Sequence, residues 1–225
     1  MISFVPTPIG NREDITLRAL EVLREADIVA CEDTRHSSPL LKHHGIEKPL
    51  VSLHDHNEAQ RLPELIDKAQ NGINIAVISD AGMPLISDPG YRLMQACIEN
   101  GVDYTVLPGP SAVLTALAGS GFPTHAFSFD GFLSVKKGKR RKALEAAIHS
   151  GKTSIFFESP HRLISTLEIL ADINPGLQVC VARELSKKFE TYHRDRAENL
   201  LQHFQRSAPK GEIVLLLDPS SLSDS

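Results

Sequence analysis

The 225-residue sequence has no tryptophan, only three cysteines, and no apolar run near the roughly 20 residues that a membrane-spanning helix needs. Cys31, Cys97 and Cys180 are odd in number, widely spaced and set in apolar stretches, which predicts buried thiols in a reducing compartment rather than a disulfide framework. The first residues lack the basic segment and long apolar stretch of a secretory signal. We therefore expect a cytoplasmic protein with no membrane partner.

The chain also has little excess charge of either sign. Its 24 Lys and Arg against 28 Asp and Glu give a formal net charge of -4, so bulk charge does not attract nucleic acid. A polyanionic partner has to be held by a local basic patch. With 41% apolar and 23% charged residues, the composition is typical of a folded chain and excludes an intrinsically disordered one.

The first half alternates short β-branched runs with longer helical patterns, which is typical of βαβ units and a parallel sheet. We predict an α/β fold with an N-terminal lobe over residues 1–118, built on a mostly parallel open sheet, and a mixed α/β C-terminal lobe over residues 119–218. The boundary rests on the small and helix-breaking residues at 119–124, and the Ser- and Asp-rich residues 219–225 predict a disordered tail.

The predicted elements follow from the same patterns. Strands are expected at residues 2–5, 27–31, 50–53, 73–79, 102–107, 126–132, 153–158, 178–182 and 212–217. Helices are expected at residues 16–25, 34–44, 58–71, 89–100, 140–149, 162–173 and 197–204, with a further helix after the turn at 108–110.

Loops rich in Gly and Pro follow three predicted strands of the first lobe, at residues 6–11, 80–90 and 107–112. Loops at the carboxyl ends of parallel strands form the ligand crevice of an open sheet, which predicts a small-molecule site. Asp80 is suited to accept bonds from hydroxyls or to balance a cation, and helix N-termini near Asp88 and Ser111 present N–H groups. The first loop lacks G-x-G-x-x-G, so a Rossmann site is not supported. Plain tight turns remain an alternative.

Polar clusters that mix carboxylates with Arg or Lys follow three predicted strands, at residues 32–35, 158–162 and 183–187. We interpret them as the floor of a cleft between the lobes, although helix caps with local salt bridges are the alternative. The histidines at 43–44 and 54–56 lack a third ligand at helical spacing, so we predict no metal site.

A basic block stands out at residues 136–142, with six cations in seven positions. Such a block can neutralise several phosphates, and a solvated basic face is the alternative. Because no aromatic residue interleaves it, base stacking is not predicted there.

Seven ordered motifs closely resemble one known family. They are PTPIGN (6–11), EDTR (32–35), HDHNE (54–58), SDAGMPLISDPG (79–90), PGPSA (108–112), ESPHRL (158–163) and ARELSK (182–187). They resemble the ribosomal RNA small subunit methyltransferase I family, a bacterial branch of the tetrapyrrole methylase superfamily, from about residue 3 to 217. Porphyrin-precursor methylases share the crevice loops only loosely, so EDTR and ESPHR decide the branch. Residues 192–196 stand where the family commonly has a glycine turn, which predicts a different shape there.

The resemblance implies S-adenosylmethionine as methyl donor, bound folded between the two lobes of a homodimer. The acceptor it implies is the 2'-hydroxyl of a cytidine in the decoding region of small-subunit rRNA. The predicted cofactor-binding residues are Pro8, Ile9, Gly10, Asp80, Gly82, Met83, Ser87, Asp88, Pro108, Ser111, Ala112, Phe157, Ala182 and Pro209.

We predict that a second group orients the nucleotide and accepts its proton, with a carboxylate or neutral Lys187 as the proton acceptor. These residues are Glu32, Arg35, Glu158, Arg162, Arg183, Glu184 and Lys187. The predicted phosphate-gripping residues are Lys136, Lys137, Lys139, Arg140, Arg141 and Lys142. Two other classes stay open: a methylase acting on a tetrapyrrole, and a cofactor-sensing RNA-binding module without turnover.

Overall fold

The computed structural model describes residues 1–54 and 56–218 and divides the chain into two compact units. The first unit is Met1–Ser111 and the second begins at Ala112. Each unit is built around its own five-stranded sheet. The tail predicted at residues 219–225 lies outside the described residues.

The first unit is a parallel α/β sheet. Its strands are β1 (Ile2–Phe4), β2 (Ile28–Cys31), β3 (Leu50–Ser52), β4 (Ile75–Ile78) and β5 (Tyr104–Val106), and its helices are α1 (Leu17–Glu25), α2 (Thr34–His43), α3 (Glu58–Gln70) and α4 (Tyr91–Glu99). The strand order is β3-β2-β4-β1-β5, and every pairing is parallel. The carboxyl ends of all five strands therefore share one edge, where β1 and β4 are central neighbours.

The central strands are buried on both faces, which is why they read as continuous apolar runs rather than as alternating ones. Phe4 and Val77 pack with Leu65 and Leu93 of the helices on one side. On the other side, Ala76 and Ile78 pack with apolar residues of α1, including the fully buried Leu23. The sandwich fixes the strands and so fixes where their loops begin.

The second unit carries a mixed sheet. Its helices are α5 (Ala112–Ser120), α6 (Lys137–Ile148), α7 (Pro160–Ile173) and α8 (Ala197–Arg206), and its strands are β6 (Phe127–Phe132), β7 (Thr153–Glu158), β8 (Gln178–Arg183), β9 (Thr191–Arg196) and β10 (Ile213–Leu217). The order is β6-β7-β10-β8-β9, with β6 parallel to β7 and the other neighbours antiparallel. The two sheets confirm the predicted fold class of a parallel first sheet and a mixed second one.

Two features differ from the sequence-based expectations. The sequence placed the division between residues 118 and 119, which lie inside α5, whereas in the structure all of α5 packs on β8, β9 and β10 and the second unit begins at Ala112. Strand β9 was not predicted, because its sequence TYHRDR lacks apolar alternation. It forms through pairing with β8, and Arg194 holds it to α5 by donating to the carbonyls of Gly119 and Ser120.

Within the described residues, no helix has the length and apolar character needed to cross a membrane. The three cysteines are free and buried, as expected from their apolar surroundings. Burial raises the pKa of the Cys180 thiol to about 11, so this thiol stays protonated at neutral pH.

Candidate active site

The loops that leave β1 and β4 are clasped together by backbone and hydroxyl bonds. The Thr7 N–H donates to the Gly82 carbonyl at 2.9 Å, and the Gly82 N–H donates back to the Thr7 carbonyl at 3.0 Å. The Thr7 hydroxyl donates to the Ser79 carbonyl at 3.1 Å, and the Ser79 hydroxyl donates to the Gly82 carbonyl at 3.2 Å. The two central loops therefore form one rigid surface.

Gly82 lets the loops after β4 and β1 approach closely, and Gly109 lets a third loop, the one after β5, approach the β1 loop. Gly82 has a φ of +85°, and a Cβ there would lie 3.2 Å from the Ile9 side chain. At Gly109 a Cβ would lie 2.6 Å from the Pro6 ring. Side chains at either position would push the loops apart, so glycine is required for their close approach.

Among the described residues, four non-glycine residues have a positive φ: two lie in the loop after β4, and Glu184 and Ser186 lie after β8. Leu85 and Ser87 have φ values of 73° and 66°, in the left-handed region that non-glycine residues rarely adopt. Such conformations cost on the order of 1–3 kcal/mol each and cluster at ligand sites. Here they shape the turn that carries the predicted cofactor residues Met83, Ser87 and Asp88.

Three carboxylates gather around this loop. Asp80 accepts a bond from the backbone N–H of Asp33 at 3.4 Å, which ties the β2 loop to the β4 loop. Burial raises the pKa of Asp88 to about 6, with further increases from the charges of Glu32 and Asp80 and a partial offset from a Ser79 hydrogen bond. Glu32, predicted for acceptor binding, therefore lies beside the predicted cofactor residues. The acidic group favours a cationic ligand.

The cluster at Arg35 forms a helix cap with a local salt bridge, as in the alternative to a ligand site. Its guanidinium is bidentate on Asp33, at 3.1 and 2.7 Å, while the Asp33 carboxylate also caps the N-terminus of α2. These bonds lower the pKa of Asp33 to about 2. Because the Arg35 side chain is 89% exposed, it remains accessible to a ligand.

In the second unit, one row of residues crosses the sheet at the same level. Phe157 of β7 pairs with Val214 of β10, which pairs with Ala182 of β8, and the row ends at Tyr192 of β9. Residues paired in register point to the same face. The structure thus brings the predicted cofactor residues Phe157 and Ala182 onto one face.

The predicted acceptor residues Arg183, Glu184 and Lys187 gather against the turn before β10. Arg183 donates to the carbonyl of Lys210 at 3.0 Å, next to the predicted cofactor residue Pro209. The Lys187 ammonium lies 3.1 Å from carboxylate oxygens of both Glu184 and Glu212. A Cβ at Gly211 would overlap the Glu184 carboxyl group, so the turn fits only as glycine.

The charge state of Lys187 follows from these contacts. Burial alone would lower the pKa of Lys187, but hydrogen bonds and charge from Glu184 and Glu212 outweigh it and raise the pKa above the ordinary value. The same ammonium, together with the Glu212 backbone N–H, lowers the pKa of Glu184. Of the two proton acceptors that the sequence left open, a carboxylate or neutral Lys187, these contacts favour the carboxylate, because they stabilise the cationic form of the lysine.

Glu158 and Arg162 are committed to a buried network. The Glu158 carboxylate accepts from the Ser159 N–H at 2.7 Å, from the Thr166 hydroxyl at 2.6 Å and from Arg162 at 2.8 Å. Its side chain has no solvent exposure. Arg162 also donates to the Leu133 carbonyl at 2.8 Å. The sequence predicted both residues at the acceptor; in the structure their side chains join β7, α7 and the loop after β6, and a role toward the acceptor stays a prediction.

The basic block divides into inward and outward cations. Arg140 is only 5% exposed and donates to the hydroxyls of Thr166 and Ser165 at 3.3 and 2.7 Å, which corrects its prediction as a phosphate ligand. Arg141 pairs with Asp172 and Glu145. The exposed remainder, which we call the lysine patch, is Lys136, Lys137, Lys139 and Lys142.

The structure therefore brings most predicted cofactor residues of the first unit to one loop surface. These are Pro8, Ile9, Gly10, Asp80, Gly82, Met83, Ser87, Asp88 and Pro108, with Ser111 at the end of the unit and Ala112 at the start of α5.

Sequence reasoning missed the Thr7–Ser79 clasp and Thr166. The signal for Thr166 was its i, i+4, i+8 spacing with Arg162 and Glu158. Among the described residues, no group of three His, Cys, Asp or Glu is arranged to hold a metal.

The fold is shared with solved structures of distant sequence. A diphthine synthase matches with a TM-score of 0.76 at 18% identity, over 96% of this chain and 89% of that chain. The uroporphyrin-III-C-methyltransferase of Thermus thermophilus matches with a TM-score of 0.65 at 22% identity, over 98% and 95%. The family model for tetrapyrrole (corrin/porphyrin) methylases matches residues 1–201. Fold and sequence together define the class as tetrapyrrole methylases.

More similar relatives narrow this class. The ribosomal RNA small subunit methyltransferase I of Escherichia coli O157:H7 is 49% identical over 217 residues, 95% of this chain and 76% of the relative. The protein of the same name from Thermotoga maritima is 43% identical over 213 residues, 95% of this chain and 96% of the relative. The chain therefore belongs to the ribosomal RNA small subunit methyltransferase I family, which confirms the resemblance of the seven motifs.

Proposed function

We propose that this chain is a cytoplasmic, homodimeric methyltransferase that transfers a methyl group from S-adenosylmethionine to the ribose 2'-oxygen of a cytidine in the decoding region of small-subunit rRNA. The observation that carries the proposal is the near full-length likeness to two proteins named for methylation of that RNA. The tetrapyrrole alternative has the support of the broad family model and of fold likeness at 22% identity, both less specific than relatives at 43–49% identity.

The first unit fits the donor by its chemistry. S-adenosylmethionine supplies, when bound, an electrophilic methyl group on a sulfonium, beside an α-ammonium and ribose hydroxyls. Asp80, Asp88 and Glu32 offer negative charge for the two cationic groups and acceptors for the hydroxyls. The clasped loops hold these groups without reorganisation, which is the main requirement for aligning donor and acceptor.

The second unit fits the acceptor. Arg183 and Lys187 are cations held in place by carbonyls and carboxylates, so they are suited to a phosphate or to a ribose oxygen that is losing its proton. The pKa of Glu184 is lowered, so its carboxylate is ionised at neutral pH, and it is held 3.1 Å from the Lys187 ammonium with a side chain that is 19% exposed, against 73% for the equally close Glu212. We therefore assign Glu184, rather than a neutral Lys187, as the acceptor of the proton from the ribose hydroxyl.

Replacing Asp88 with asparagine tests the donor side. The folded-state pKa of about 6 lies above the ordinary 3.8, so the folded protein binds the proton more tightly and its stability falls as pH rises from about 4 to 6. Asp88→Asn should remove this fall and stabilise the protein at pH 7.5 by up to about 3 kcal/mol. It should also weaken donor binding, and the affinity of the parent protein should fall below pH 6.

Urea unfolding and calorimetric donor titrations at pH 4.5, 6 and 7.5 measure both effects. Asp103→Asn, at an exposed position just before β5, serves as the control for loss of one carboxylate. Equal stability of Asp88→Asn and the parent at pH 7.5, together with unchanged donor affinity, would contradict the assignment.

The acceptor is tested by transfer of labelled methyl from S-adenosylmethionine to 30S particles, followed by mass mapping of ribose methylation. We expect one modified cytidine in the decoding region. Methylation of a base, of another RNA or of a tetrapyrrole precursor would overturn the proposed acceptor. Donor binding without any transfer would instead support the non-catalytic module.

The lysine patch is tested through salt dependence. Each exposed lysine that neutralises a phosphate of single-stranded RNA contributes about 0.7 to the slope of log affinity against log salt. Replacing Lys136, Lys137, Lys139 and Lys142 by glutamine should lower that slope and leave donor affinity unchanged. The matched control is the quadruple change to glutamine at four exposed cations of the first unit: Arg12, Arg18, Arg24 and Lys42. An equal loss of slope in the control would show that the patch has no special role.

A further inference from the structure

An aromatic surface is formed by β6 and β7, and its last residue in β6, Phe132, precedes the lysine patch by four residues in the chain. Phe132 is 62% exposed, and its ring centroid lies 5.3 Å from that of Phe157. Phe129 packs against the other side of the cluster, 4.9 Å from Phe157, and Phe127 is 40% exposed on the same strand. We call Phe127, Phe129, Phe132 and Phe157 the phenylalanine surface. Phe129 and Phe157 are half-buried, and none of the four belongs to the buried core cluster of the unit.

A bulge in β6 places Phe132 on this surface. Phe127 pairs with Thr153 and Phe129 with Ile155, so simple alternation would set residue 131 opposite Phe157. The register shifts between Phe129 and Phe132, with Gly131 at a φ of 66°, and Phe132 takes the place opposite Phe157. Bulges of this kind redirect a side chain and are found next to functional sites. The extra residue keeps three phenylalanines of β6 on one face.

The segment between Phe132 and the lysines is fixed rather than loose. Leu133 is 4% exposed, and its carbonyl accepts the bond from Arg162 that ends the buried Glu158 network. The Ser134 hydroxyl accepts from the Lys136 N–H at 3.3 Å, at the start of α6. Phe132 and the lysine patch are therefore held at a constant separation. This pre-organisation is what a shared ligand requires.

We propose that Phe132 is a stacking platform for an unpaired nucleobase of the RNA substrate, whose neighbouring phosphates bind the lysine patch. The inference rests on the proposed function, since it names how that RNA is held. A flat apolar ring followed closely by several cations complements single-stranded nucleic acid, in which bases are free to stack and phosphates follow at short intervals. An apolar protein partner does not account for four exposed lysines that closely follow the ring in a chain of net charge -4.

The absence of tryptophan from the chain provides a direct probe. Phe132→Trp keeps a larger π face at this position and introduces the only tryptophan. We expect a short single-stranded oligoribonucleotide to quench its fluorescence and to bind it as tightly as it binds the parent protein. Inorganic polyphosphate, which carries charge without bases, should bind the lysines and leave the fluorescence unchanged. Tyr104→Trp, at the amino-terminal end of β5, is the control for quenching that is not specific to the surface.

Affinity measurements separate stacking from simple apolar contact. Phe132→Leu keeps contact with Phe157 but has no π face, and we expect it to bind the oligoribonucleotide about 5- to 100-fold more weakly, as for other single aromatic platforms. Its salt slope should equal that of the parent, because no phosphate contact is lost. Thermal unfolding of each variant checks that the fold is retained.

Equal RNA affinity of Phe132→Leu and the parent, or equal quenching by polyphosphate and RNA, would overturn the proposal. A change of oligomeric state in sedimentation, without a change in RNA affinity, would show that the surface joins two copies of the chain instead. Methyl transfer to 30S particles by the parent protein is measured in parallel. If the parent methylates rRNA while the Phe132 variants bind RNA normally, the stacking proposal fails and the proposed function stands.

Discussion

Replacing Glu158 with alanine is expected to lower the free energy of unfolding by about 3–5 kcal/mol, the usual cost of removing one partner of a buried ion pair. The Glu158 carboxylate accepts bonds from Ser159, Arg162 and Thr166 and has no contact with solvent. Its removal leaves the Arg162 guanidinium, only 23% exposed, without its carboxylate. Urea unfolding at neutral pH measures the loss.

Glu168→Ala is the matched control, because Glu168 lies on the exposed side of α7 and its loss should change stability by less than about 0.5 kcal/mol. Methyl transfer per folded molecule distinguishes a structural role from a catalytic one. If Glu158→Gln kept the parent's stability and still lost methyl transfer, the assignment of Glu158 to the buried network would be wrong.

The burial of this network explains why the sequence alone predicted Glu158 and Arg162 to bind the acceptor. A carboxylate and an arginine at the end of a strand are equally compatible with a ligand site and with a helix cap, and only burial separates the two. The spacing did contain a signal. Arg140, Leu144 and Ala147 lie at helical intervals, so Arg140 falls on the buried face of α6 once the helix begins at Lys137. Beginning the predicted helix at residue 140 concealed this.

The first unit was more predictable because its strands are buried on both faces and its loops carry diagnostic glycines and prolines. The order β3-β2-β4-β1-β5 also makes the loops after β1 and β4 neighbours, which the sequence cannot show. The Thr7–Ser79 clasp depends on that adjacency. In the same way, the edge strand β9 and the bulge at Gly131 depend on pairing with β8 and β7, which no local pattern encodes.

Replacing Lys187 with methionine is expected to reduce kcat for methyl transfer by about 100-fold or more, the effect of losing a positioned charge at a developing oxyanion. An ammonium has three N–H donors, and Glu184 and Glu212 take two of them. In our assignment, the third N–H donates to the ribose oxygen that accepts the methyl group. The neighbouring Lys188→Met is the control, since Lys188 is exposed and lies over the Phe189 ring rather than in the cluster.

Lys187→Arg separates a cationic role from a basic one, because arginine cannot act as a proton acceptor in a protein. If Lys187 acts as a cation, the arginine variant should keep measurable transfer, and kcat of the parent should not rise with a lysine pKa between pH 7 and 10. Donor affinity, measured by calorimetry, should be unchanged in both variants. An arginine variant as inactive as the methionine variant, together with a rise of the parent's kcat at high pH, would restore neutral Lys187 as the base. The raised pKa of Lys187 argues for the first result, since the two carboxylates beside it stabilise its charge more strongly than burial opposes it.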